Sequence, residues 1–172
     1  MGDVTYIDPK RNNMISTTEN VSDVLHCLMI TLSDETIILP NTAVAEVIAF
    51  TKPEPIEGSP SWFLGRISWR ERRVPLISYG MASASADSEL DRKKGDRIAI
   101  LNTMNGDADI PYIGIVSQGI PRLNVLHSDD ISTIQSKPDD RLSVLEIVNF
   151  DGKTLIVPDI DDLEKRLKEI HT

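Results

Sequence analysis

Residues 63–69, FLGRISW, and 72–79, RRVPLISY, read as two β-strands folded back on each other across a tight turn at Arg70-Glu71-Arg72. Successive side chains of a strand alternate in direction, so Ile67 and Trp69 share one face while Arg66, Ser68 and Arg70 share the other. The same grammar of short apolar runs broken by turn residues extends both ways along the chain. Upstream, LHCLMITL (25–32) and SDETIIL (33–39) are two strands joined at Ser33-Asp34-Glu35, with Leu28, Ile30 and Leu32 on one face. Pro40 and Asn41 break the second strand, and a further strand is expected around Val44 to Phe50. The segment 52–62 is a stiff loop because it carries Pro53, Pro55, Gly58 and Pro60. Downstream, RIAILNTM (97–104) and IPYIGIVSQGI (110–120) flank the Asn105-Gly106-Asp107 hairpin signal, and RLSVLEIVNF (141–150) and KTLIVP (153–158) flank Asp151-Gly152. Many short strands with frequent turn signals point to an all-β barrel or sandwich.

One helix closes the chain. In PDIDDLEKRLKEI (158–170), Ile160, Leu163, Leu167 and Ile170 form a single apolar stripe. Asp159, Asp161 and Asp162 at its start and Lys165, Arg166 and Lys168 near its end suit the helix dipole. The stripe is expected to dock onto the sheet, since such stripes are usually core. Residues 1–23 are polar and without sustained periodicity, and are read as a flexible leader. Met14 offers an alternative start within it. The folded domain is placed at 24–172, and the small, charged stretch 81–96 is read as a mobile loop.

The composition narrows the function. Eighteen Lys and Arg against 27 Asp and Glu give a net charge of -9 across 172 residues. Such a surface repels nucleic-acid phosphates and anionic lipid, so neither is expected as a partner. No apolar stretch approaches the roughly 18 residues of a spanning helix, and the start lacks the apolar core of a signal peptide. With a single cysteine, Cys27, there is no internal disulfide and no cysteine-based zinc site. A cytoplasmic location is the expectation.

Catalytic chemistry finds little support. His26 and Cys27 are adjacent, so on a strand they point to opposite faces and cannot share a proton. The histidines His26 and His127 lie far apart in sequence, and His171 is next to the C-terminus. The pairs Asp129-Asp130, Asp139-Asp140 and Asp161-Asp162 read as solvated turns and a helix start, without calcium-loop spacing. There is no nucleophile elbow, phosphate-binding loop or dinucleotide fingerprint. No cofactor or metal is expected, and no catalytic residue is assigned. The feature that does stand out is Arg66, Arg70, Arg72 and Arg73, clustered in an acidic chain and flanked by Trp62, Phe63 and Trp69. Two readings are open: basic protection of a sheet edge, or a protein-binding spot, since Arg and Trp are favoured interface anchors.

With these residues in view, the sequence resembles the CheW-like domain of bacterial chemosensory systems, from about Leu25 to Ile170. Leu39-Pro40 and Val44-Ala45-Glu46-Val47-Ile48 look like the family's first strands and its V-x-E-V/I segment. Pro60, Trp62-Phe63-Leu64-Gly65-Arg66-Ile67-Ser68-Trp69-Arg70 and Val74-Pro75-Leu76-Ile77 are similar to its most specific motif. Tyr112-Ile113-Gly114-Ile115-Val116 corresponds to its G-x-x-V strand, and Leu155-Ile156-Val157 with the helix to its closing segment. Three departures stand out: Glu71 replaces the glycine after the motif arginine, Ser117 replaces an aspartate, and Ser78-Tyr79 replaces an Asp-Leu pair. At Glu71 a turn other than the usual positive-φ one is expected. The stretches 116–122 and 62–65 look most like the ChpC branch, associated with type IV pili and twitching motility.

The resemblance implies a mainly β fold: two small five-stranded β-barrel subdomains around a shared hydrophobic core, with a C-terminal helix. It also implies a non-enzymatic adaptor that couples the cytoplasmic tip of a methyl-accepting chemoreceptor to the regulatory domain of a CheA-type histidine kinase. Residue by residue, it carries Val44, Glu46, Val47, Arg70 and Val116 toward partner contact. Arg66 and Trp69 join them from the arginine and aromatic cluster. The alternatives are a standalone scaffold for pilus motor components without kinase contact, and a small hydrolase built on His127 and acidic side chains.

Overall fold

A computed structural model of the chain describes residues 4–7, 14–17, 24–84 and 95–170, with side chains described from residue 24 onward. In chain order the strands are β1 Val4–Ile7, β2 Met14–Thr17, β3 Val24–Thr31, β4 Thr36–Pro40, β5 Val44–Ala49, β6 Phe63–Trp69 and β7 Arg72–Ile77. Helix α1, Tyr79–Ser83, is followed by β8 Asp96–Asn102, β9 Tyr112–Gln118, β10 Arg122–His127, β11 Ile131–Ser136, β12 Val144–Phe150 and β13 Lys153–Pro158. Helix α2, Ile160–Ile170, ends the described chain. Strands β1 and β2 pair antiparallel inside the stretch read as a loose leader.

The remaining strands build two sheets, one of six in the order β10-β3-β4-β13-β12-β11 and one of five in the order β5-β8-β9-β7-β6. The mainly β, two-unit architecture is the expected one, with six rather than five strands in the first unit. Two of its members, β10 and β11, are not read as strands because their sequences carry weak signals: Leu123, Val125 and Ile134 are exposed, so no buried face announces them. The five-stranded sheet is curled. β5 and β6 are its opposite edges, yet Trp69 of β6 hydrogen-bonds Glu46 of β5 at 2.9 Å. That contact spans the mouth of a small barrel.

Alternation along the central strands explains how one core serves both units. On β8, Ile98 and Ile100 face the interior of the five-stranded barrel, while Ala99 and Leu101 face a shared core. That core also takes Ile30, Leu32, Ile37 and Leu39 from the six-stranded sheet, together with Ile160, Leu163 and Leu167 from α2. The stripe read from the sequence therefore does dock inward. Asp159 caps α2, its Oδ1 accepting the Asp162 N–H at 3.0 Å.

Turns account for the other differences. Asp151 and Gly152 both have positive φ (49° and 73°), the two-residue hairpin read from their sequence. Asn105-Gly106-Asp107 is not a tight hairpin but part of a longer connection between β8 and β9. Asn105 donates to Glu164 Oε2 at 3.0 Å and Lys168 pairs with Asp107 at 2.6 Å, so α2 holds the loop open. The stretch 81–96 does not begin as a mobile loop: α1 runs into it, with Tyr79, Ala82 and Ser83 buried. Arg166 donates to the Ala82 carbonyl and Arg141 to Ser83 Oγ, both at 2.8 Å, which fixes the helix. Residues 85–94 of that stretch lie outside the described residues.

Candidate partner-binding site

The β6–β7 hairpin is tighter than its sequence suggests. Trp69 pairs with Arg72, so strand β6 ends at Trp69 and only Arg70 and Glu71 form the loop. Both have positive φ, 47° and 61°, as a type I′ turn requires. Two expectations are corrected here. Arg70 is a turn residue rather than a member of a strand face with Arg66 and Ser68. Glu71 does adopt the positive-φ conformation of the glycine it replaces, because the two-residue loop closes as a type I′ turn, which requires it at both central positions.

That turn sets Arg70 against two fixed groups. Its Nη2 lies 3.0 Å from Glu46 Oε2, and its guanidinium carbon stands 4.8 Å above the Trp69 ring. The same Glu46 oxygen accepts the Trp69 indole N–H at 2.9 Å. The Trp69 side chain is anchored in turn by Tyr112, ring centroids 4.9 Å apart in an edge-to-face arrangement. Trp69 itself is 8% exposed, whereas the Arg70 side chain is 68% exposed. A buried indole and a carboxylate from the opposite barrel edge thus position an arginine at the surface.

Glu46 reaches the cluster because it pairs opposite Ile100, on the barrel-facing side of β5. Val47 pairs opposite Ala99 and is half-buried, and Val44 packs against the shared core before a bulge in β5. Val116 lies in the barrel interior with Ile67, Trp69 and Leu76. At 8% exposure it shapes the barrel wall from beneath rather than presenting a side chain outward. Arg66 is half-buried, and its backbone forms an isolated antiparallel bridge with Glu54. The structure thus brings Glu46, Trp69 and Arg70 together, keeps Val116 beneath them in the barrel interior with Trp69, and leaves Val44, Val47 and Arg66 outside this cluster. Tyr112 and Arg72, whose guanidinium carbon lies 6.0 Å above the Tyr112 ring, complete the cluster. Arg72 stands out in the sequence only as part of the arginine cluster and Tyr112 not as a contact at all, because β9 comes beside the β6–β7 hairpin only through the strand order.

Around this cluster Arg73 forms an ion pair with Glu54, which holds the Glu54 carboxyl below and the Arg73 guanidinium above their usual ranges. Elsewhere, the structure places His26 and His127 on the same exposed face of the β3–β10 pair, although a hundred residues separate them. The side chains of His127 and Asp130 cap each other's backbone N–H groups. Cys27 faces inward, and burial pushes its thiol up. Among the described residues no three His, Cys, Asp or Glu side chains converge as a metal site would require.

A curled five-stranded sheet and a six-stranded sheet around one shared core make a two-unit, mainly β scaffold. The CheW-like domain family model matches residues 26–167, and the chain belongs to that family, whose members are non-enzymatic scaffolds of chemosensory systems. Among solved structures it is similar to the scaffolding protein TtCheW from Thermoanaerobacter tengcongensis. The two align with a TM-score of 0.61 and 19% identity, over 78% of this chain and 88% of that one. No curated protein matches the chain. Among the described residues no helix is long and apolar enough to cross a membrane.

Proposed function

We propose that the chain is a cytoplasmic adaptor that couples the tip of a methyl-accepting chemoreceptor to the regulatory domain of a CheA-type histidine kinase. The pathway we assign is one controlling type IV pili and twitching motility, on the likeness of residues 62–65 and 116–122 to the ChpC branch. The observation that carries the reading is the Glu46–Trp69–Arg70 cluster, which holds the family's motif arginine outward on a two-residue turn. Val44 and Val47 supply a half-buried apolar margin, and Val116 supports the wall from inside. Such a surface suits a helical receptor tip with apolar anchors. Each contact is individually weak, with avidity supplied by a multivalent array. Phosphoryl transfer belongs to the kinase; the adaptor acts by holding two proteins in one geometry.

The test is a binding titration of the full chain against the kinase regulatory domain, then with a receptor-tip fragment added. Saturable binding that Arg70→Ala weakens by roughly 1–3 kcal/mol, with stability within about 0.5 kcal/mol, supports the proposal. Absence of binding to either protein by a folded sample overturns it. Twitching that persists unchanged in cells lacking the protein overturns the pathway assignment.

A further inference from the structure

Beside the Arg70 cluster, between the start of β7 and the 108–112 segment, lies a cavity of about 150 Å³ lined by Arg72, Arg73, Val74, Ala108, Asp109, Pro111 and Tyr112. Its charges are uneven. The Arg73 guanidinium is already neutralised by Glu54, whereas Arg72 makes no ion pair among the described residues. Arg72 is thus a cation of the lining with no carboxylate of the described residues bound to it. Its position is restrained, since Arg72 lies over the Tyr112 ring and Tyr112 is packed against Trp69.

The opposite wall is fixed as well. The Asp109 N–H donates to Asp107 Oδ1 at 2.8 Å, and Asp107 is itself paired with Lys168 of α2. Val74, whose side chain packs in the barrel core, Pro111 and Tyr112 complete the lining. A site with one available guanidinium, stacked on an aromatic ring, and one carboxylate at its rim accommodates a single negative charge, as on a carboxylate side chain. A phosphate dianion or a nucleic-acid backbone meets more repulsion, from Asp109 and from the acidic surface.

We propose that this cavity seats an acidic side chain of a protein partner, with Arg72 as its anion-binding group. The proposal rests on the adaptor reading in taking the partner to be a protein, and it adds the chemistry that the partner must present. It makes Arg70 and Arg72, on either side of one two-residue turn, two anchors of a single surface.

The test uses isotope-labelled full-length chain and two blocked peptides as probes, Ac-Leu-Glu-Leu-Leu-NH2 and its Gln counterpart, followed by amide and arginine side-chain NMR. The expected result is saturable shifts at Arg72, Val74, Asp109 and Tyr112, with the Glu peptide binding about threefold or more tighter than the Gln peptide. Arg72→Gln should abolish that preference, Arg72→Lys should restore part of it, and about 0.5 M salt should weaken it. Equal binding of the two peptides, shifts confined to other surfaces, or no shifts up to about 10 mM peptide overturns the proposal. The kinase and receptor titrations, repeated with Arg72→Gln, separate the two readings. Wild-type binding that Arg72→Gln leaves unchanged overturns the acidic seat and leaves the adaptor standing. Failure of both proteins to bind the wild type overturns the adaptor reading, and the peptides then judge the cavity independently.

Discussion

Gly65→Ala measures how closely the loop before β6 must approach the strand that carries the site. Gly65 has φ of 126°, and an added Cβ would sit 2.2 Å from the Glu54 carbonyl oxygen and 2.7 Å from its carbon. Both obstacles are backbone, so no side chain can swing aside. Relief requires moving the 54–55 segment away from β6, which breaks the Glu54 N–H to Arg66 carbonyl and Arg66 N–H to Glu54 carbonyl bonds, 2.8 and 2.9 Å. Backbone strain of about 1–3 kcal/mol and two hydrogen bonds at about 1 kcal/mol each give a loss of roughly 3–5 kcal/mol. Gly119→Ala is the control, since Gly119 has φ of 70° with nothing within 4 Å of the added atom. It should lose only about 1–2 kcal/mol. With a urea slope of about 2 kcal/mol per molar, the Gly65 midpoint should fall by about 2 M and the Gly119 midpoint by less than about 1 M. Equal midpoints for the two variants would refute the close-approach argument and leave only a generic positive-φ cost.

Three further outcomes follow from the same geometry. Glu71→Gly relieves a left-handed non-glycine residue and should raise Tm by about 1–4 °C in thermal unfolding; a lower Tm would show that the Glu71 side chain contributes more than its backbone costs. Trp69→Phe deletes the indole N–H to Glu46, so it should cost about 1–2 kcal/mol in denaturant unfolding. If Trp69 and Glu46 position Arg70, it should also weaken kinase-domain binding about threefold or more in calorimetric titration, and unchanged affinity would dissociate the cluster from binding. The Lys168 ammonium holds the Asp107 carboxyl below its usual value, so its contribution to stability is present above the ordinary carboxylate pKa and is lost as pH falls through the lowered one. Asp107→Asn should therefore flatten the acid limb of Tm against pH while leaving the neutral region with a lower plateau, and an unchanged acid limb would exclude the Asp107 contribution.

The fold was largely legible because alternation and turn chemistry are local. Ile67 and Trp69 did prove to be the inward residues of β6, and Asp151-Gly152 did form the hairpin its dipeptide favours. Strands β10 and β11 were not legible, since exposed Leu123, Val125 and Ile134 carry no buried alternation to read. The Asn105-Gly106-Asp107 signal misled for a different reason: Glu164 and Lys168, far along the chain, hold that loop in place. The candidate site was half legible. Glu46, Trp69 and Arg70 came from the family likeness and the arginine cluster, but nothing local linked a glutamate to a tryptophan 23 positions later.

Composition and local pattern were enough to establish an acidic, strand-rich domain closed by a helix docked through its Ile160, Leu163 and Leu167 stripe, because charge, turn preference and side-chain alternation act over a few residues. Strand order depends instead on which apolar faces find each other across the whole chain. That order makes β5 and β6 the two edges of one curled sheet, sets Tyr112 against Trp69, and turns Val116 inward. The positioned Arg70 and the cavity beside Arg72 exist only once those distant segments have packed.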